Sequence, residues 1–159
     1  MSRIDKQNHY LNIAEAVLER GTCLRRNYGA IIVKNDEIIS TGYVGSPRGC
    51  VNCCDIGVCF RDELKLPQNQ SYDKCRSVHA EMNAIISAQR KDMIGSTLYL
   101  VGKLKKENRY ADNVEPCLIC RRLIINAGIK NVVVRRDATK YDIIDVEERY
   151  IKNDAALFS

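Results

Sequence analysis

Two short motifs contain side chains that could bind a metal ion. The run His-Ala-Glu at 79–81 holds one of the two histidines, and Pro-Cys-Leu-Ile-Cys at 116–120 holds two of the eight cysteines. One imidazole and two thiolates are ligands that zinc prefers, and three protein ligands leave the fourth tetrahedral position open for water, as catalytic zinc sites do. Because two thiolates also neutralise a divalent ion, His79, Cys117 and Cys120 predict a catalytic zinc site.

The carboxylate of Glu81 is the predicted proton carrier of this site. Water bound to zinc has its pKa lowered to roughly 7, so a nucleophile is available at neutral pH. Glu81 follows His79 by two residues and shares its first helical turn, from which it could reach that water. We predict that it acts as general acid and base, taking a proton from water and returning it to a ring nitrogen and then to a leaving amine.

Each motif also has a more ordinary interpretation. A lone histidine near an apolar helix is more often structural, and a lone Cys-x-x-Cys at a helix start is typical of a redox pair. However, both motifs stand at the starts of consecutive predicted helices joined by a strand. This arrangement places them at one edge of a sheet, where α/β folds form their sites, and favours the metal site.

Apolar periodicity and turn residues predict the elements that must position these motifs. Helices are predicted over about 5–20, 78–91, 116–128 and 141–153, and strands over 29–33, 37–43, 97–101 and 131–135. The first two strands form a hairpin, residues 45–76 form a long cysteine-rich loop, and 154–159 form a frayed tail. The expected fold is α/β, a three-layer α/β/α sandwich with a mixed, roughly five-stranded sheet, in a single domain over 1–159.

Composition limits the class of protein. With 159 residues, 45% hydrophobic and 28% charged, the chain has the size and composition of one globular domain. No apolar run approaches the about 20 residues of a membrane span, and the first residues lack the apolar segment of a signal peptide. We therefore expect a cytoplasmic protein with no membrane partner. The net charge of +5 is too small to indicate a nucleic-acid partner but is compatible with a small phosphate-bearing ligand.

The combination of His-x-Glu with Pro-Cys-x-x-Cys is the pattern of zinc nucleobase deaminases. Over about 10–136 the chain resembles the cytidine and deoxycytidylate deaminase superfamily, and within it the deoxycytidylate (dCMP) deaminases, with further matching segments at 23–33, 42–49 and 78–85. The resemblance implies a cytidine deaminase-like fold and zinc-dependent hydrolysis of dCMP to dUMP and ammonia. It also implies that the backbone of Ala80 helps to hold the base.

The same resemblance implies partners that composition does not show. These are a small-molecule nucleotide substrate, a homo-oligomer, commonly a hexamer, and regulation by dCTP and dTTP. Two alternative functions stay open: deamination of another base, either cytidine or an adenosine in tRNA, and a non-catalytic zinc-stapled binding protein on the same scaffold. A tRNA substrate would favour a more positive surface. A purely structural zinc site would need neither an open coordination position nor a carboxylate beside it.

Two departures from the family pattern bear on the substrate. Val44 stands where the family usually has an asparagine that contacts sugar or phosphate, and residues 102–113 form a longer segment that is rich in lysine. That segment either binds phosphate or is a solvated loop. Arg26 and Arg48 lie in matching segments and are the predicted substrate-binding arginines, because a guanidinium binds phosphate through two parallel hydrogen bonds. The alternative is that both are surface arginines.

A second group of cysteines lies in the long loop. Four thiolates there could close a tetrahedral structural zinc site, which would explain how such a segment becomes ordered. The family carries structural-zinc ligands in similar loops, and by position Cys53, Cys59 and Cys75 match best. For the fourth ligand we choose Cys50 over Cys54, because the Cys50-x-x-Cys53 spacing suits chelation of one ion. The alternative is that these are reduced, packed cysteines, as is expected of Cys23.

Overall fold

Six α-helices and six strands lie along residues 2–158, the part of the chain that the computed structural model describes. The helices are α1 Lys6–Leu18, α2 Cys53–Ile56, α3 Phe60–Glu63, α4 Ala80–Ile86, α5 Arg90–Met93 and α6 Leu118–Ala127. The strands are β1 Arg26–Lys34, β2 Glu37–Tyr43, β3 Thr97–Leu104, β4 Arg109–Tyr110, β5 Asn131–Arg135 and β6 Tyr141–Asp145. Short 3₁₀ turns cover Tyr72–Lys74 and Asp154–Leu157, and a π-helical turn covers Glu147–Ile151.

All six strands belong to one mixed sheet. Its order is β2-β1-β3-β5-β6, with the two-residue β4 pairing along the end of β3. β3 and β5 are parallel, as expected of strands joined by a helical crossover, and the other pairs are antiparallel. The predicted α/β class and mixed sheet are confirmed, with six strands rather than roughly five.

Side chains alternate between the two faces of the sheet, and each face packs against helices. One face packs on α1 through Ile31, Val33, Tyr99, Val101 and Val133. The opposite face packs on α4 and α6 through Ala30, Ile32, Leu98, Leu100, Val132 and Val134. The three layers follow directly, because neighbouring residues on one strand bury their side chains in two separate cores.

Strand β2 holds helix α4 at very short range. The Ser40 hydroxyl donates to the carbonyl of Ala84 at 2.7 Å, and the Asn83 amide donates to the carbonyl of Tyr43 at 2.8 Å. Between them, a Cβ added to Gly42 would lie 2.3 Å from the carbonyl oxygen of Ala80 and 2.4 Å from the nitrogen of Ala84. Position 42 therefore requires glycine for the strand and helix to approach this closely.

The C-terminal region corrects one prediction. The helix predicted over 141–153 is wrong for 141–145, which form the edge strand β6 paired with β5. Ile144 is buried and Tyr141 is partly buried against the core on the α1 side, while Asp142, Ile143 and Asp145 are exposed. Charged residues on an exposed edge strand produce a pattern that is easily mistaken for a polar helix. The predicted tail at 154–159 contains a 3₁₀ turn, and Ser159, like Met1, lies outside the described residues.

Two further segments differ from their predicted structure: the segment at 102–113 is more regular than a loop, and the helix predicted over 78–91 is divided in two. The lysine-rich segment 102–113 forms the end of β3 and a tight return through β4, in which Lys103 pairs with Tyr110. The helix predicted over 78–91 divides into α4 and α5, with Ser87 at the C-terminal end of α4.

None of the helices within residues 2–158 is both long enough and apolar enough to span a membrane.

Candidate metal centre

The predicted metal ligands stand at the beginnings of two neighbouring helices. His79 is the N-cap residue of α4, and Cys117 is the N-cap residue of α6, where its sulfur accepts a hydrogen bond from the N–H of Cys120 at 3.4 Å. Cys120 follows by three residues, so its side chain returns to the same side of α6 as Cys117. Both helices pack on one face of the sheet and contact each other, which brings their first turns together.

The three ligand atoms have the separations that a tetrahedral zinc ion requires. The Nδ1 atom of His79 lies 3.5 Å from Sγ of Cys117 and 3.5 Å from Sγ of Cys120. At the tetrahedral angle, zinc–sulfur bonds of about 2.3 Å and a zinc–nitrogen bond of about 2.0–2.1 Å separate sulfur and nitrogen by about 3.6 Å. Within residues 2–158, this is the one group of three or more such ligand atoms lying within 4.8 Å of one another. The donor set therefore fits zinc.

Mutual hydrogen bonding sets the charge of these groups. The hydrogen bond with Cys120 is the main cause that lowers the pKa of Cys117 to about 4, and the contact with His79 lowers it further. The same contact with Cys117 raises the pKa of Cys120. Burial opposes the charged form of His79, but Cys117 and Glu81 raise its pKa above the usual value. The raised pKa values of His79 and Cys120 favour their protonated forms, and a divalent cation that binds these groups would displace those protons.

Glu81 lies buried beside the three ligands. Its side chain is 5% exposed, burial raises its pKa, and it contacts the Cys120 thiol. A carboxylate in the first turn of α4 is close to the ligands without being one of the three. Ala80, also fully buried, is the first residue of the helix, so its N–H has no carbonyl partner within α4.

The two predicted substrate arginines occupy different places. Arg26 begins β1 and contacts the hydroxyl of Tyr28, a partly buried phenol whose pKa also responds to the charge of Glu81. Arg48 instead donates to the hydroxyl of Ser87 at 3.2 Å, at the far end of α4. That end is about 10 Å from the first turn, from the rise of a seven-residue helix. Arg26 is therefore the arginine nearer the ligands.

Val44 has no polar side-chain atom and packs in the interior. Its side chain is 6% exposed, and its backbone N–H donates to the carbonyl of Tyr28 at 3.2 Å. Its carbonyl accepts from the N–H of Thr22 at 3.0 Å. The valine thus connects two segments next to the site rather than offering a group to a ligand.

Sequence reasoning missed Tyr72 and Arg61, which form a wall of the site. The Tyr72 ring stands edge-on to the His79 ring, with centroids 5.0 Å apart and an interplanar angle of 83°. Arg61 stacks on Tyr72 at 5.5 Å and donates to the carbonyls of Pro67 at 2.7 Å and Ser71 at 2.9 Å. The sequence offered only a weak signal, which was that the long loop leads directly into the helix carrying His79.

The loop cysteines differ in exposure. Cys53 is buried, Cys59 and Cys75 are partly buried, and Cys50 and Cys54 are exposed; all are free thiols. Burial raises the pKa of Cys53, and the charges of Cys23, Cys75 and Cys59 raise it further. Cys23, which was predicted to be only a packed residue, therefore belongs to the same neighbourhood. Within residues 2–158, however, the loop sulfurs do not form a group of three within 4.8 Å of one another, so the structure does not assemble the predicted four-cysteine site.

Comparison with known proteins agrees with this geometry. The sequence profile of the cytidine and deoxycytidylate deaminase zinc-binding region matches residues 4–136. A deoxycytidylate deaminase of Mycobacterium phage D29 is 35% identical over 143 residues, covering 87% of this chain and all of that protein. A deoxycytidylate deaminase of Schizosaccharomyces pombe is 33% identical over 79% of this chain, which spans only 35% of that longer protein.

A solved structure shares the fold. The dCMP deaminase of cyanophage S-TIM5, determined in complex with dCMP and dUMP, superposes with a TM-score of 0.58 at 26% identity, covering 86% of this chain and 85% of the other. Fold, ligand triad and sequence therefore agree on the class, a zinc-binding deaminase. The chain belongs to the cytidine and deoxycytidylate deaminase family.

Proposed function

We propose that this protein is a zinc-dependent dCMP deaminase that converts dCMP and water to dUMP and ammonia. The observation that carries the proposal is the triad of His79, Cys117 and Cys120 with the buried carboxylate of Glu81 beside it. The substrate follows from the relatives, since the phage D29 protein is named a deoxycytidylate deaminase and the cyanophage structure holds dCMP and dUMP.

His79, Cys117 and Cys120 would hold the zinc ion. When bound, zinc supplies a Lewis acid that makes water nucleophilic near neutral pH. The two sulfurs, as thiolates, would balance its charge, and three protein ligands would leave one tetrahedral position for water. Tyr72, edge-on to the imidazole, shields that ring from solvent.

Glu81 would move the protons of the reaction. It takes a proton from the attacking water as oxygen bonds to C4 of the cytosine ring, and gives it to N3. It then takes the remaining hydroxyl proton and gives it to the departing nitrogen, so that the C4–N4 bond breaks and ammonia leaves as the C4 carbonyl forms. The backbone N–H of Ala80 holds the base, and Arg26 binds the phosphate.

We also propose a second, structural zinc ion held by Cys50, Cys53, Cys59 and Cys75. The charges of Cys59 and Cys75 act on the Cys53 thiol, which supports these three ligands, and the loop would have to draw their sulfurs together, since no three of them lie within 4.8 Å of one another within residues 2–158. The exposed position of Cys50 and the presence of Cys23 near Cys53 make the fourth ligand the point to test. A metal ion would give the loop the stabilisation that its few buried side chains do not supply.

The proposed setting is the cytoplasm, with the protein acting as a homo-oligomer, in the family's hexameric form, under dCTP and dTTP control. Free thiols at all eight cysteines are typical of a reducing compartment. Helices α4 and α6 expose Ile86, Ile119 and Leu123, and Ile86 is 70% exposed. Exposed apolar side chains on adjacent helices indicate a subunit contact. Sedimentation of the zinc-loaded protein, with and without dCTP or dTTP, tests this assembly.

A substrate panel tests the function. Zinc-loaded protein is incubated with dCMP, deoxycytidine, cytidine and a tRNA carrying the target adenosine, and products are separated by chromatography. We expect dUMP to form at a kcat/KM at least about tenfold above that for the unphosphorylated nucleosides. Absence of dCMP turnover by protein shown to contain zinc would refute the proposal, and faster turnover of cytidine or of tRNA would reassign the substrate.

A further inference from the structure

Glu115 stands immediately before the Pro116-Cys117 step and is the centre of a charged network. Its carboxylate lies 3.3 Å from Arg121 and 3.2 Å from Arg149, and it accepts a hydrogen bond from the hydroxyl of Tyr150 at 3.1 Å. The Glu115 side chain is 20% exposed, so these contacts are partly shielded from water.

Arg121 connects this network to the ligand-bearing turn. Its Nε–H donates to the carbonyl of Pro116 at 2.9 Å, and its backbone N–H donates to the carbonyl of Cys117 at 2.9 Å. Its guanidinium also stacks on the Tyr150 ring at 5.0 Å. One side chain therefore fixes the peptide group on the N-terminal side of Cys117, at the residue that caps α6.

Tyr150 ties both groups to the interior. It is fully buried in the core that also contains Ile124 of α6 and Val132 of β5. It lies in the π-helical turn Glu147–Ile151, beyond residue 136, where the match to the family profile ends. A segment outside the matched family region thus contacts the turn that carries two of the three ligands.

We infer that Glu115, Arg121 and Tyr150 are positioning residues for the metal centre. They act through Cys117: they hold the turn before α6, so that the sulfur of Cys117 stays at chelating distance from the imidazole of His79. Partners that orient metal ligands typically contribute 10–100-fold to metal affinity. The inference depends on zinc at the His79 site and not on which base is deaminated.

The test compares zinc release from three variants of the zinc-loaded protein. Tyr150→Phe removes only the hydroxyl that donates to Glu115, and Glu115→Gln removes the charge. The matched control is Tyr99→Phe, which removes a hydroxyl that donates to Gln7 at 2.7 Å from another buried tyrosine, on the opposite face of the sheet. Release into excess chromophoric chelator is followed with time. The phase absent from Cys117→Ser is assigned to the His79 site.

We expect Tyr150→Phe and Glu115→Gln to release this zinc about tenfold faster than the unaltered protein. Tyr99→Phe should release it at the unaltered rate, even if its thermal midpoint falls by as much as that of Tyr150→Phe. The Co(II)-substituted positioning variants should also show altered thiolate-to-metal absorption. Equal release from Tyr150→Phe and Tyr99→Phe would overturn the inference, and Tyr150→Phe decides alone if Glu115→Gln does not fold. Absence of the phase from unaltered protein would instead refute zinc binding at His79.

Discussion

The metal centre and the cysteine-rich loop both collect thiols, but they do so by different means. At the centre, two helices packed on the sheet bring three ligand atoms within 4.8 Å of one another. The loop has two four-residue helices, one 3₁₀ turn and left-handed backbone at Lys65, Asn69 and Ser71. The comparison teaches that packing of regular elements alone can assemble a chelate, whereas the proposed loop site would need the ion itself to bring its thiols together.

The largest expected effect separates chemistry from metal binding at the helical site. Glu81→Gln should lower kcat for dCMP by about 10³-fold while leaving zinc content unchanged, because Glu81 moves protons and is not a ligand. Turnover and metal analysis on the same preparation measure both quantities. Glu63→Gln, in the loop, is the control and should retain activity. Loss of zinc from Glu81→Gln would show that its role is metal binding.

Removing a loop thiol should have the opposite signature. Cys53→Ser is expected to reduce bound zinc from about two ions per chain to about one and to speed proteolysis within 45–76, with the His79 site still loaded. The exposed neighbour Cys54→Ser should change neither quantity. Loss of the second ion in Cys50→Ser would support Cys50 as the fourth ligand. Loss of the second ion in Cys23→Ser, with Cys50→Ser retaining it, would assign Cys23 as the fourth ligand instead. One zinc ion in the unaltered protein would contradict the loop site.

Arginine substitutions test which arginine binds the phosphate of the nucleotide, Arg26 at the start of β1 or Arg48 in the loop. Arg26→Gln should raise KM for dCMP by about tenfold with little change in kcat, because a phosphate contact far from the reacting atoms contributes uniform binding. With deoxycytidine, which lacks the phosphate, the effect should vanish. Arg48→Gln should change KM by less than about twofold, and a larger effect than that of Arg26→Gln would reverse the assignment.

The smallest effect concerns the sheet face opposite the metal. Burial opposes ionisation of Glu15, but hydrogen bonds with Lys103, Tyr110 and the buried Arg135 lower its pKa. A lowered folded-state pKa gives stability that is present above the unfolded value and lost as pH falls through the folded one. Glu15→Gln should therefore cost about 1 kcal/mol at pH 7 in urea unfolding, less near pH 3, without loss of zinc. A pH-independent cost would contradict this.

The parts of the fold that follow from sequence are those where burial imposes a period. The first hairpin was confirmed, with its turn at Asn35 and Asp36, both at positive φ, and so was helix α6, which ends at Gly128. Strand β6 was not predicted, although it forms an antiparallel hairpin with β5, because three of its five residues are exposed and only Ile144 is buried. The single domain over 1–159 stays a prediction.

The site divides in the same way. His79, Cys117 and Cys120 were predicted as a group because their residue types and spacing are specific, and the structure brings their ligand atoms together. Arg61 and Tyr72 escaped prediction because each lies in a helical turn of only three or four residues, too short to produce an apolar repeat in the sequence. Their places become visible only through the carbonyls and rings that they contact.

The missing methyl group at position 42 has a consequence for how this enzyme can vary. A side chain there would overlap the backbone of α4 at Ala80 and Ala84, so the whole helix would have to retreat. The imidazole would travel with it while both sulfurs stayed on α6. We therefore expect replacement of Gly42 to be tolerated as poorly as replacement of a ligand. Gly42 is not one of the ligands, but the spacing between β2 and α4 sets the distance between the imidazole of His79 and the two sulfurs of α6.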